Sequence, residues 1–384
     1  MIYLDNASTT RISPVVLDAM LPYLQEEYGN AGTLHQIGRR AAAAVEKSRQ
    51  QVSSVFGCEP ENIIFTSGGS ESNNLAIKGT RDCLLATGKR HIITTAIEHD
   101  SVMKSMRWMQ NNGFEVTYIN PTDDGVVAPK LIEREIREDT GLVAVMYVNN
   151  EVGAVNDIAE IGRVCNEHEI LFHSDCVQAL GCKKINTHFM TGSISSHKIH
   201  GAKGVGALYV RQKELLQPII SGGGTQEFGV RGGTENVAGI VGFGVACELA
   251  MKNLHDDMVV ISTLKQEFAS VLASTIGSLK DNGIHINGAS ITKPGKILNL
   301  RIDGVSSETL MLLLDTQGVC VSAGSACRAH ESEPSHVLIA MGLSPDEARS
   351  SIRFSFSKYN TLDEVAEAAQ ILASSVNILR QLGE

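Results

Sequence analysis

The sequence predicts an α/β protein: a large domain built on a mostly parallel sheet, joined to a smaller α+β domain. Three observations carry this. From about residue 60 to 210 short apolar runs alternate with helical stretches, and strand–helix alternation makes a parallel sheet with helices on both faces. The run at 142–148, Leu-Val-Ala-Val-Met-Tyr-Val, is continuously apolar, as a strand covered on both faces must be. Beyond about 255 the pattern changes to long helices and to strands alternating apolar with polar side chains, the signature of half-covered strands. The expected division is a large domain over 16–254 and a small α+β domain made of 1–15 and 255–384, consistent with a length of 384 residues.

In order, 62–66 reads as a strand, 70–81 as a helix, 91–95 as a strand and 99–112 as a helix stopped by Gly113. Residues 114–119 form a strand, 130–137 a short helix and 142–148 the apolar strand; Asp157 caps a helix running to about His168, and 170–173 is the next strand. In the second part 258–276, 307–317 and 362–380 read as helices, and 297–302 and 351–356 as strands. Ligands of parallel sheets sit beyond the strands' carboxyl ends. Residues 67–70, Asn149, Asn150 and Asp175 fall at those ends.

Composition removes several function classes. The net charge is −10, which disfavours direct nucleic-acid binding, since that needs a basic face. No apolar run reaches the ~20 residues that span a bilayer, and the amino terminus has neither the basic start nor the long apolar stretch of a signal peptide. The eight cysteines, at 58, 83, 165, 176, 182, 247, 320 and 327, form no CxxC pair and read as reduced thiols of a cytoplasmic protein. Seven have apolar or helical neighbours and are expected in the core. Cys327 stands apart, in a polar, small-residue-rich loop with Arg328 and His330 nearby to favour a thiolate.

Residues 195–206, Ser-Ser-His-Lys-Ile-His-Gly-Ala-Lys-Gly-Val-Gly, place Lys198 beside His197 in a glycine-rich run before the apolar stretch 207–210. A lysine so placed can form a Schiff base with a cofactor aldehyde, and pyridoxal 5'-phosphate is the usual one. Residues 67–70, Ser-Gly-Gly-Ser, mark a strand–helix junction whose free amides suit a phosphate; an ordinary turn with a serine N-cap is the alternative. Asp175 can hold a pyridinium nitrogen protonated, or cap a helix. His99 can stack on a flat ring and move protons, or sit idle at a helix start. Arg353 alternates against Ile352 and Phe354, so it points off that strand's apolar face, where a guanidinium suits a carboxylate or is simply a solvated strand arginine. A metal site from Cys320, Cys327, His330 and His336 lacks zinc-like spacing, and no metal is expected.

Taken together, 3–10, 28–30, 65–74, Glu98 with His99, 149–153, 175–178, 195–206, 222–227, 231–236, 324–327, 333–335 and 351–355 resemble the cysteine desulfurases of the NifS/IscS kind, fold-type I pyridoxal-phosphate enzymes of the class V aminotransferase family. The resemblance implies a homodimer that takes sulfur from L-cysteine, leaves L-alanine, and passes the sulfur as a Cys327 persulfide to an acceptor protein. It implies that Lys198 holds the cofactor, His99 stacks on it and Asp175 pairs with its nitrogen. Gln178 and Asn150 would reach its phenolic oxygen and the substrate. Gly69, Ser70, Ser195 and His197 would contact its phosphate, with Thr234 reaching the phosphate of the partner subunit. Arg353 would bind the substrate carboxylate, and Cys327 would attack the substrate sulfur. A selenocysteine lyase or another aminotransferase-like enzyme is the alternative. The sequence departs from the common pattern at 29–32, Gly-Asn-Ala-Gly, a version that resembles the desulfurases of DNA phosphorothioation. Gly232 and Gly233 before Thr234 are also unusual. Iron–sulfur cluster assembly, thiolation and DNA phosphorothioation all draw on this chemistry.

Overall fold

The computed structural model describes residues 1–288, 290–292, 295–324 and 333–383. In chain order its elements are β1 (Ile2–Tyr3), α1 (Pro14–Gln25), α2 (Gln36–Phe56), β2 (Ile63–Thr66), α3 (Gly69–Lys78), α4 (Arg81–Ala86), β3 (His91–Thr95), α5 (Asp100–Asn111), β4 (Glu115–Ile119), α6 (Pro129–Arg134), β5 (Thr140–Ala144) and α7 (Ile158–Glu167). There follow β6 (Leu171–Asp175), β7 (Thr191–Ser195), β8 (Gly206–Val210), α8 (Val237–Lys252), α9 (Leu254–Ile276), β9 (Ile284–Asn287), β10 (Ile297–Ile302), α10 (Ser307–Thr316), β11 (Val319–Cys320), α11 (His336–Ala340), α12 (Pro345–Arg349), β12 (Ser351–Ser355) and α13 (Leu362–Leu382).

Seven strands form one sheet in the order β2-β8-β7-β6-β5-β3-β4. Only β8 runs against its neighbours β2 and β7; the other pairs are parallel. The carboxyl ends of β2, β3, β5, β6 and β7 therefore share one edge. Ile93, Val143, Phe172 and Ile194 are fully buried within the sheet, each contributing about 1.5–3 kcal/mol by leaving water. A second sheet, β12-β10-β9, is antiparallel. Its core centres on Phe268 of α9, whose ring lies 4.8 Å from Phe354 and 5.7 Å from Phe356. The first residues of the chain join this second body: β1 pairs in parallel with β11, and Asp5 bridges to Ser355.

The expected strands and helices recur with shifted limits, and the differences have causes. The helix expected over 70–81 is two helices, α3 and α4, separated at Gly79 and Thr80. The expected strand at 142–148 spans Thr140–Ala144, and 145–148 continues beside β6 through Val145 N to His173 O and Tyr147 N to Asp175 O. The periodicity missed α1, α2 and α8. In α8 the apolar pattern is diluted by glycines that exist for helix contact. A Cβ on Gly242 would lie 2.6 Å from Met20 Sδ, and one on Gly244 2.9 Å from Ser48 Cα. The polar strand β7, Thr-Gly-Ser-Ile-Ser, carried no apolar signal either. Of the described cysteines only Cys165, Cys176 and Cys247 are buried; Cys58, Cys83, Cys182 and Cys320 are half-exposed, so the expected core role is too broad. Among the described residues no single helix is long and apolar enough to cross a membrane.

The turn after β3 shows how the sheet edge is held. Glu98 is 1% exposed, and its Oε1 accepts from Thr95 Oγ1 (2.7 Å) and Met146 N (2.8 Å). Burial raises its pKa from 4.5 to about 8, with a smaller push from the Asp175 charge. The folded state thus keeps a proton that the unfolded chain releases above about pH 4.5, so Glu98 subtracts stability as pH climbs toward 8. Glu98→Gln should gain on the wild type over that range by up to about 1.4 kcal/mol per pH unit, levelling off above pH 8. Denaturant unfolding at pH 5 and pH 8 measures this, and an equal gap at the two pH values contradicts it.

Candidate active site

A cavity of about 190 Å³ opens where these strand ends converge. Each neighbouring element supplies a wall: Gly69 and Ser70 from the start of α3, His99 after β3, Asn150 after β5, Asp175 and Gln178 after β6, and Ser195, His197 and Lys198 after β7. Arg353 enters from β12 in the other body. The structure thus gathers every expected site residue except Thr234 and Cys327. Thr234 is exposed and lines no part of this cavity. Cys327 lies outside the described residues, as do Arg328 and His330.

Asp175, at the end of β6, is only 6% exposed. Its Oδ2 accepts from Asn73 Nδ2 (2.7 Å) and its Oδ1 from Val177 N (3.0 Å). No helix follows Asp175, so the helix-capping alternative does not hold; its Oδ1 instead orders the turn after β6. Asn73 also donates to Ser101 Oγ (2.9 Å), while its Oδ1 lies 3.0 Å from His173 Nε2. Burial lowers the His173 pKa to about 4, so its imidazole is neutral at pH 7. Nε2–H then donates to Asn73, and Nδ1 accepts from Thr191 Oγ1 (2.9 Å). The sequence reading gave Asn73 no role. An asparagine one helical turn beyond a Gly-Gly-Ser turn was the available signal.

His99 is the N-cap of α5. Its Nδ1 accepts from the Ser101 amide (3.1 Å) and lies 2.8 Å from Ser101 Oγ. A backbone N–H can only donate, so Nδ1 is the acceptor and Nε2 is the nitrogen that carries a proton. The sequence placed His99 at this helix start; the structure adds that it also faces the cavity.

The phosphate-like end adjoins a second opening lined by Ser67, Gly68, Gly69, Ser70, Ser195 and His197. The N-cap of α3 is Gly68 and has no side-chain cap, so a serine-capped turn is not what forms. Close backbone packing explains the glycines: a Cβ on Gly206 would sit 2.6 Å from Gly68 Cα. In the 195–206 run Gly201 is closely packed as well, against Ser196, whereas Gly204 has φ +77°, meets open space and lines this opening. Ser195 Oγ is buried with no hydrogen-bond partner among the described residues. Burial first, then the nearby lysines, push the His197 pKa down to about 4.

Lys198 Nζ donates to Ala7 O (2.7 Å) and Ser8 O (2.6 Å). Gln178 Nε2 donates to Ala7 O (2.9 Å), and its Oε1 is buried and unpartnered among the described residues; rotating the amide exchanges the two atoms. Arg353 is 1% exposed. It donates to Asp5 Oδ1 (2.8 Å), Ser8 Oγ (2.7 Å) and Asn150 O (2.9 Å), while Nε has no partner among the described residues. A solvated strand arginine is thereby excluded: this is a buried guanidinium with donor capacity left over at a cavity wall.

The aminotransferase class-V family model matches residues 2–367. The chain is 38% identical to the cysteine desulfurase IscS of Dictyoglomus turgidum over 384 residues, covering 99% of this chain and 96% of that protein. Among solved structures, a NifS-like protein superposes with a TM-score of 0.88 at 34% identity, covering 98% of this chain and 99% of the other. SspA in complex with cysteine gives 0.81 at 34% identity, covering 94% and 100%. With a family match over most of its length and whole-chain similarity of this degree, the chain belongs to the class V aminotransferase family and, within it, to the cysteine desulfurases.

Proposed function

We propose that this protein is a pyridoxal-phosphate-dependent L-cysteine desulfurase. It takes sulfur from L-cysteine, leaves L-alanine, and passes the sulfur from Cys327 to an acceptor protein, working as a cytoplasmic homodimer. The observation that carries the reading is one cavity holding the Lys198 amine, the Asp175 carboxylate, the His99 ring and the Arg353 guanidinium. The residues fit the cofactor. The uncapped start of α3 and the orphaned Ser195 Oγ suit a phosphate, and Asp175, held by Asn73, suits a ring nitrogen. Lys198 would hold the cofactor until the substrate's amine takes its place, and the cofactor would then supply an electron sink that makes the substrate's α-proton acidic.

The chain's own residues do the rest. Arg353 orients the substrate through its carboxylate, using the spare Nε donor. Lys198, released from the carbonyls of Ala7 and Ser8, takes the proton from the substrate's α-carbon and later returns one to it, and His99 Nε2 provides a second proton site. The Cys327 thiolate attacks the substrate Sγ. The substrate's carbon–sulfur bond breaks, a sulfur–sulfur bond forms on Cys327, and protonation of the remaining carbon gives alanine. We further assign the chain a large unit over 16–254 and a small unit made of 1–15 and 255–384, with Thr234 serving the partner subunit's phosphate site.

Borohydride reduction followed by peptide mapping should place a cofactor adduct on Lys198. The Lys198→Ala protein should be colourless. Cys327→Ala should keep the cofactor's colour and form no persulfide; sulfur transfer undiminished in that variant excludes Cys327 as the nucleophile. Asn73 acts as a positioning residue. Removing it frees Asp175 of one charge-assisted bond worth about 1.5–3 kcal/mol, so Asn73→Ala should lower kcat roughly 10- to 100-fold. The pH at which the bound cofactor changes colour should shift as well, which a purely structural loss would leave in place.

A further inference from the structure

A second cavity shares Lys198 with the active-site cavity and none of its other lining residues. Its volume is about 50 Å³, room for one or two water-sized groups. It lies between the segment after Lys198 and the second body, bounded in part by Asn6, Ser13, Cys182, His200, Asp257 and Lys296.

Its charges do not balance. Among the described residues Asp257 is the only acidic one lining it, and that carboxylate is paired with Lys358 at 2.7 Å. Lys296 is 6% exposed and has no carboxylate partner among the described residues. The hydrogen bond it makes there is a long one, from Nζ to Lys198 O at 3.4 Å. A lysine buried without a counter-charge is costly; burial pushes its pKa down, and a nearby anion acts in the opposite direction. His200 adds no charge at neutral pH. Burial lowers its pKa to about 4, and its Nδ1 donates to Arg11 O at 3.0 Å.

Two further features point the same way. Ser13 is 5% exposed, and its hydroxyl has no hydrogen-bond partner among the described residues. Ser13 is also the N-cap of α1, and the first turn of this helix has no side-chain cap. The first turn borders the cavity through Ser13 and Val16. A helix start carries unsatisfied amides and partial positive charge. An unpaired ammonium, an unpaired hydroxyl donor and an uncapped helix start thus meet at one small cavity.

We propose that this cavity binds one small monovalent anion, of chloride or hydrosulfide size, between Lys296, Ser13 and the start of α1. With Lys358 paired to Asp257 and Lys198 committed to the cofactor, Lys296 is the one positive charge left to balance, and the space suits a compact monovalent ion. Because Lys296 also donates to the carbonyl of Lys198, the bound anion borders the backbone that carries the active-site amine. The inference stands on these residues alone and does not depend on the assignment of Cys327.

The test uses the cofactor-loaded protein in halide-free gluconate buffer. Crystals soaked in sodium bromide should show an anomalous peak beside Lys296 Nζ. In solution, replacing gluconate by 100 mM chloride at constant ionic strength should raise Tm by about 2 °C or more, by mass action on the folded state. Lys296→Met should lose both signals. Ser13→Ala, a milder change, should move the chloride midpoint up about tenfold, which keeps the test decisive if Lys296→Met folds poorly. Sodium hydrosulfide added anaerobically separates the two sources: displacement of bromide identifies hydrosulfide as a ligand, and retention of bromide restricts the site to halide. A wild type with no bromide peak and no chloride-dependent Tm overturns the proposal, as does a Lys296→Met protein with an unchanged chloride response.

Discussion

One asparagine amide fixes the relative positions of three groups at the sheet edge. Asn73 accepts a hydrogen bond from His173 and donates to Asp175 and Ser101, and the Ser101 amide in turn donates to His99. Two of these partners, His173 and Asp175, lie on β6 and the third, Ser101, on α5, so no rule local to α3 could align them. The chain of bonds has a direction, because His173 is neutral and the Ser101 amide can only donate. Reversing the Asn73 amide would set its oxygen against the Asp175 carboxylate and its NH2 against a ring N–H. The network therefore admits one arrangement, and buried polar networks with all members satisfied are rigid for that reason.

A second constraint comes from the first few residues of the chain. Asp5, Ala7 and Ser8 lie where the two bodies meet. Ala7 and Ser8 offer carbonyls to Lys198, Ala7 takes the Gln178 amide, and Asp5 with Ser8 holds Arg353. Asp5 also bridges to Ser355 on β12. The amine from the large sheet and the guanidinium from the second body are thus registered against the same short segment. Displacing that segment would disturb both at once, which explains why a two-residue strand, β1, is anchored by a full parallel pairing with β11.

Much of this was legible in the sequence, for reasons that differ by residue. Asp175, His99 and Asn150 follow strongly apolar strands, so their place at a carboxyl edge could be read from periodicity. Lys198 stood out because glycines follow it, of which Gly201 and Gly206 serve close packing and Gly204 faces the opening beside the site. Arg353 was readable only as pointing off an apolar face; its burial against Asp5 depends on a contact 348 positions away in sequence. Asn73 and Lys296 were not legible. One looks like any polar residue of a helix, and the other like any lysine beside a loop; their roles come from what the fold brings opposite them. The glycine-rich α8 was lost because its small residues weaken the helical signal while permitting close contact with α1 and α2.

The flanks of the cysteine-bearing segment tie the same edge together. On the carboxyl side, Ser335 Oγ donates to Glu151 Oε2 at 2.5 Å, and His336 Nε2 donates to Glu98 O at 2.9 Å. On the amino side, Ser322 exchanges backbone bonds with Arg353. Glu151 and Glu98 belong to the turns that carry Asn150 and His99, so the chain on either side of Cys327 is fastened to elements that line the cavity. Glu151 is 1% exposed, its amide bonded to Asn149 Oδ1 and its carbonyl to Asn299. A carboxylate so enclosed cannot shift to follow Ser335; the seryl hydroxyl must come to it. The end points of the segment are consequently set by the large sheet's edge and by β12, the same two bodies that position Lys198 and Arg353. The amine and the guanidinium are thus referred to the same seam that anchors the described flanks of this segment.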